Sequence, residues 1–203
     1  MRKAMTRVLI CMLLAAFFWC GTLISDRQRL HQELIRLHVV ANSDSHDDQQ
    51  RKLMVRDAVN AGLQKDLQNI ADVEQAKRYL QEKLPYIQSL AEDTLQALGC
   101  SDVVTVTLCK EAFDTRFYDT FMLPAGVYNA LRIVIGEGGG KNWWCVVFPS
   151  LCLPTASECF EDAAAGAGFP EALNRTLTGE EGYELRFAIL DVMGKVENIL
   201  FPG

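Results

Sequence analysis

The sequence predicts an α+β domain: a mainly antiparallel sheet packed with helices, preceded by an N-terminal membrane or signal helix. Three observations carry this. Basic residues and an unbroken apolar run open the chain, two helical patterns follow the first strand back to back, and the other strand patterns come after those helices. Strands that follow clustered helices, rather than alternating with them, favour α+β over a parallel α/β sheet.

Arg2, Lys3 and Arg7 precede an apolar run from Val8 to Ile24, and the next charges are Asp26 and Arg27. One Arg or Lys at the bilayer centre costs roughly 2.5–3.5 kcal/mol, so a charge-free run of about 17 residues reads as a membrane segment at the short end of a spanning helix. The basic flank holds the N-terminus inside, so the chain after Asp26 is expected outside the cytoplasm. Residues 1–25 are therefore expected to be a signal peptide or signal anchor, cleaved or retained as a single-pass anchor. Trp19–Ser25 offers no small-x-small cleavage site, and Phe18-Trp19 before Cys20 is too large for a lipoprotein site.

The remaining chain is long enough for one domain with a sizeable core. We place that core at 26–155, with 156–203 as a loose connector plus a C-terminal strand (183–190) and short helix (191–200) of the same domain. The chain carries −6, and removal of Arg2, Lys3 and Arg7 leaves −9. This disfavours nucleic acid, whose recognition needs clustered cations, and equally polyanionic wall polymers. Of seven cysteines, two lie in the apolar run. The others are Cys100, Cys109, Cys145, Cys152 and Cys159; their odd number leaves a thiol unpaired in the monomer, and no Cys-x-x-Cys or nearby His suggests zinc.

Leu34–Ala41 alternates with period two, placing Ile35, Leu37, Val39 and Ala41 on one face and Arg36 and His38 on a polar, surface-facing one. Ser45 and Asp48 form a capping box for a helix whose inner stripe is Val55, Val59 and Leu63. A second helix starts after Asp72, which with Gln75 forms its cap, and carries Ala76, Leu80, Leu84, Ile87 and Ala91. Gly99 suits its C-terminus, and Pro85 should kink or break it. Val103–Lys110 reads as a strand, followed by an aromatic loop with Phe113, Phe117, Tyr118 and Phe121 and a turn at Pro124-Ala125-Gly126. Val127–Ile135 and Trp143–Phe148 read as a hairpin across the flexible glycine loop 136–142.

Several motifs fail their chemical tests. The glycine loop ends in Gly140-Lys141, but Ile135 stands where a Walker loop needs its first Gly, Asn142 replaces the hydroxyl, and a strand follows instead of a helix. The run Asn42–Asp48 lacks the Gly and Glu of an EF-hand at positions six and twelve. Cys145 has no nucleophile signature around it, and His31, His38 and His46 lie far upstream. No cofactor, metal or catalytic set emerges. Trp143 and Trp144 are adjacent in a strand and so face opposite sides: either one indole is an exposed binding anchor or both are buried.

Two blocks carry a family resemblance. Ile35-Arg36-Leu37-His38-Val39-Val40-Ala41-Asn42-Ser43-Asp44-Ser45 with Val55-Arg56-Asp57-Ala58-Val59 (block 35–59) forms the first. Pro124-Ala125-Gly126-Val127-Tyr128-Asn129-Ala130 with Gly136-Glu137-Gly138-Gly139-Gly140-Lys141-Asn142-Trp143-Trp144-Cys145 and Phe148-Pro149-Ser150-Leu151-Cys152 (block 124–152) forms the second. Together they resemble the stage II sporulation protein R family. The resemblance implies a non-enzymatic intercompartment signal of endospore formers, exported to the space between forespore and mother-cell membranes. There it would activate a membrane-embedded aspartic protease, stage II sporulation protein GA, which matures the mother-cell sigma factor precursor. It implies no catalytic residues. Asn142, Trp143 and Trp144 are the candidate partner contacts, and the membrane is a second expected partner through the N-terminal segment. The resemblance also sets Cys145 and Cys152 in one block as a candidate disulfide, the alternative being two reduced, packed cysteines. Two other classes fit the sequence: a signal-anchored thiol hydrolase using Cys145, and a ligand-binding module.

Overall fold

The alternating segment near residue 35 does form a strand, and the rest of the domain is arranged around it. The computed structural model describes residues 5–7, 10–12, 14, 31–117 and 122–149. Its elements are β1 (Ile35–Val40), α1 (His46–Leu67), α2 (Val73–Ala97), β2 (Val104–Phe113), β3 (Arg116–Phe117), β4 (Met122–Leu123), β5 (Gly126–Ile135) and β6 (Asn142–Phe148). Four strands form one sheet in the order β2-β5-β1-β6, and β3 and β4 pair in a separate two-stranded ribbon.

This order corrects two expectations. The sheet is mixed: β1 runs parallel to β5 and antiparallel to β6, while β2 runs antiparallel to β5. The parallel pair arises because the chain leaves β1, passes through both helices and β2, and only then returns as β5; a parallel neighbour requires such a long crossover. Nor are β5 and β6 a paired hairpin, because β1 lies between them, bonded to each. The glycine loop therefore spans the end of β1 instead of closing a tight turn.

The helices form where local signals place them. Ser45 Oγ accepts the Asp48 N–H at 3.2 Å and Asp72 Oδ1 accepts the Gln75 N–H at 2.8 Å, satisfying donors that a helix start leaves open. After α2, Gly99 adopts φ 69°, and the N–H groups of Gly99 and Cys100 bond back to Gln96 and Leu95, a left-handed C-terminal cap. Pro85 does not break α2. The buried stripe Ala76, Leu80, Ile87, Ala91 and Leu95 continues on both sides of it, so packing holds both halves despite the missing N–H.

Both helices cover one sheet face. Val55, Val59 and Leu63 of α1 and the α2 stripe join Ile35, Leu37, Val39, Leu131, Ile133, Val104 and Val106 in one core. Burial of each such aliphatic side chain is worth about 1.5–3 kcal/mol. The opposite face is not a solvated polar surface, as Arg36 and His38 were expected to show. Arg36 is 0% and His38 5% exposed. A central strand is hidden on both faces, so alternation there separates two buried layers, not core from solvent.

The expected N-terminal membrane or signal helix is also corrected. Among the described residues no helix is long and apolar enough to cross a membrane. Those at 5–7, 10–12 and 14 are helical and exposed. The rest of 1–25 lies outside the described residues, and the expected attachment to a membrane through this segment falls with the helix. Residues 150–203, including the expected connector, strand 183–190 and helix 191–200, lie outside the described residues as well.

Candidate interaction surface

The two sequence blocks meet at the end of β1. Asn42 and Ser43 leave the strand and turn onto the start of α1, where Asp48 gathers them. Ser43 Oγ donates to Asp48 Oδ2 at 2.5 Å and Asn42 Nδ2 at 3.2 Å, while Arg51 Nη1 donates to Oδ1 at 2.9 Å. The Ser43 hydroxyl is the main cause holding this carboxyl below the usual carboxylate range, against burial, which pushes it up.

The glycine loop is fastened onto that turn. Glu137 N–H donates to Asn42 Oδ1 (3.0 Å), Gly139 N–H to the Asn42 carbonyl (3.0 Å), Gly140 N–H to the Ala41 carbonyl (2.9 Å) and Lys141 N–H to Asp44 Oδ1 (2.7 Å). Lys52 of α1 is buried and donates to the Lys141 carbonyl at 3.0 Å and to Gln49 Oε1 at 2.6 Å. Burial is what pushes its ammonium pKa down. Glycine is required for this approach: a Cβ on Gly140 would strike the Ser43 backbone carbonyl, and a Cβ on Gly136, at φ 57°, would strike the Asn42 side chain. The loop is thus a bonded clamp, not the flexible turn expected from its composition.

The clamp leads directly into β6. In register with β1, Asn142 faces Val40, Trp143 faces Val39 and Trp144 faces His38. Asn142 is exposed. Trp143 lies on the helix side and remains 36% exposed, with the Arg56 guanidinium 4.2 Å from its ring centroid. Arg56 is itself held by Asp57 at 2.7 Å. Trp144 faces the other way and is half-buried between two partners. The His38 ring stacks on it at 5.5 Å and 29°, and the Arg116 guanidinium sits 3.7 Å from its centroid. One tryptophan is therefore available as an anchor and the other is built into the far face.

That far face holds residues the sequence reading missed. His38 Nδ1 lies 3.0 and 2.9 Å from the two carboxylate oxygens of Glu111, and Arg132 Nε lies 3.8 Å from Glu111 Oε1. The Arg36 guanidinium lies 4.1 Å from the Phe113 centroid and 5.2 Å from that of Tyr128, whose hydroxyl donates to the Pro124 carbonyl at 2.7 Å. Cationic and aromatic groups thus continue from Arg116 through Trp144, His38, Phe113 and Arg36 to Tyr128. The signal that could have found them was in β1, where an Arg and a His sit inside a strand that stays apolar through Val39-Val40-Ala41.

Cys145 is 6% exposed and disulfide-bonded. No disulfide joins two described residues, so the expected Cys145–Cys152 bridge is not part of the described structure; Cys152 and Cys159 lie outside it. Cys100 is buried and Cys109 half-buried, both as free thiols, and burial pushes the Cys109 thiol up. Among the described residues no group of three or more His, Cys, Asp or Glu could hold a metal ion.

A family model described as stage II sporulation protein R matches residues 31–158. Stage II sporulation protein R of Bacillus subtilis (strain 168) is 42% identical over 120 residues, which cover 59% of this chain and 54% of that protein. The chain thus spans about half the length of this relative. No solved structure matches.

Proposed function

The chain belongs to the stage II sporulation protein R family, and on that premise we propose that it is an exported sporulation signal. It acts in the space between forespore and mother-cell membranes. There it switches on a membrane-embedded aspartic protease of the stage II sporulation protein GA type, which then matures the mother-cell sigma factor precursor. Its role is to bind, not to catalyse.

The observation that carries this reading is the overlap of the family match with the surface just described. The match at 31–158 contains both the clamp and the exposed start of β6. An aromatic side chain with a stacked Arg is the chemistry of an interface anchor, and Trp143 with Arg56 supplies it. The competing thiol-hydrolase reading draws no support from Cys145, whose sulfur is buried and tied up in a disulfide; a nucleophile needs an accessible thiolate.

The test is reconstitution in a host that does not sporulate. The chain, the protease and the sigma factor precursor are expressed together and in every pair, and precursor cleavage is followed by immunoblot. Cleavage is expected only with all three. Equal cleavage without this chain, or none with the complete set, refutes the proposal.

A further inference from the structure

We propose that Lys52 is a positioning residue for the partner contact: from α1 it fixes the start of β6, so that Trp143 meets the protease in one orientation. This rests on the signalling reading above and specifies how its binding surface is held.

One side of α1 holds the junction. Gln49, Lys52 and Arg56 are spaced three and four residues apart, so they line one face of the helix over two turns. Gln49 Nε2 donates to the Ser43 carbonyl at 2.9 Å, and Gln49 Oε1 accepts from Lys52 Nζ at 2.6 Å. The same ammonium donates to the Lys141 carbonyl at 3.0 Å. Gln49 and Lys52 thus tie the turn after β1 to the residue that precedes Asn142. One turn further along α1, the Arg56 guanidinium lies 4.2 Å from the Trp143 ring centroid. The backbone entering β6 and the indole two residues later are therefore set by one helix.

The presence of a lysine here points beyond packing. Lys52 is 4% exposed, and its two acceptors are neutral oxygens, one carbonyl and one amide. Such bonds only partly offset the cost of burying an ammonium. Burial disfavours the charged form most strongly; Asp44 favours it, and Arg56 and Lys141 oppose it. An apolar side chain of the same length would fill the space without that cost, but it could not grip the Lys141 carbonyl. The lysine therefore contributes geometry, and the geometry it sets is that of the exposed indole. A contact ordered beforehand loses less freedom on binding and so binds more tightly.

The test varies the amount of exported chain in the three-component host and reads precursor cleavage against it. Lys52→Met keeps the length of the side chain and removes the ammonium. It should need about three- to tenfold more exported chain for half-maximal cleavage, the scale of ordering one or two side chains on binding, with an unchanged maximum. Trp143→Ala should shift the curve by itself. Lys52→Met should add nothing to that shift, because the lysine acts through the indole. Ile87→Val, a core truncation in α2, should follow the parent at equal exported amount. If Lys52→Met is not exported, Gln49→Ala is read in its place; it removes one acceptor of the ammonium and should shift the curve in the same direction. A curve coincident with the parent, no shift from Trp143→Ala, a full further shift in the Trp143→Ala chain, or an equal shift from Ile87→Val overturns the proposal and leaves the signalling reading intact. Absence of cleavage with the unmodified chain overturns the signalling reading itself, and this proposal with it.

Discussion

His38 on β1 and Glu111 on β2, 73 residues apart in sequence, meet through a forked contact of 2.9 and 3.0 Å that reaches across the intervening strand β5. Glu111 is partly shielded, with 20% of its side chain exposed, and His38 is buried. Removing one partner leaves the other polar group buried without its bond, which costs about 1–3 kcal/mol. Glu111→Ala should therefore lower unfolding stability by that amount in a urea titration. An unchanged midpoint would show that the pair contributes nothing.

Arg36 gives a second expectation. Its guanidinium lies against two aromatic rings with no exposed surface. A desolvated cation–π contact is worth about 2 kcal/mol, and a planar guanidinium stacks where an ammonium does not. Arg36→Lys keeps the charge and should still lose stability, with Arg36→Ala losing more. Equal stability of Arg36→Lys and the parent chain in thermal melts would remove the stacking argument.

The third expectation concerns acid. Asp48 titrates below its usual value, chiefly through the Ser43 hydroxyl. A carboxyl whose folded pKa is depressed contributes stability that is fully present above its unfolded pKa of about 3.9 and is lost as pH falls through the folded value. Ser43→Ala removes the main cause, so its acid unfolding, followed by circular dichroism, should begin at higher pH than that of the parent. Coincident acid transitions would contradict the assignment.

Two glycines should respond differently to alanine. Gly99 has open space around its missing Cβ but sits at φ 69°, so Gly99→Ala pays only left-handed strain of about 1–2 kcal/mol. Gly140→Ala drives a methyl into the Ser43 backbone and must displace the clamp, costing about 1–3 kcal/mol as overpacking. Hydrogen exchange separates them. Gly140→Ala should speed exchange of the Gly139 and Lys141 amides, and Gly99→Ala should leave these two unaffected.

What the sequence revealed was local. Ser45 with Asp48, Asp72 with Gln75, and Gly99 could be read because caps are written within a few residues of the helix ends they serve. The stripes of α1 and α2 were legible for the same reason. Pairing was not, because nothing near Val134 or Val146 records that β1 lies between their strands. Alternation placed Arg36 and His38 on one face of β1 but could not say what covers that face, since Phe113, Tyr128 and Trp144 come from three distant segments. Among the candidate contacts, Trp143 is exposed and Trp144 is not, a difference set by which side Arg116 and His38 occupy.

The position of β1 between β5 and β6 governs the order in which the domain can assemble. The first strand made has no ladder partner before residue 126, because both its neighbours come from the second half of the chain. Two helices, β2 and the short β3 and β4 emerge first and must wait. Closing so large a loop makes folding slow compared with a locally connected bundle of the same size. A nascent or threading chain thus stays without its central sheet until Gly126–Ile135 is available, and a truncation before Gly126 should yield helices with no such sheet to pack against.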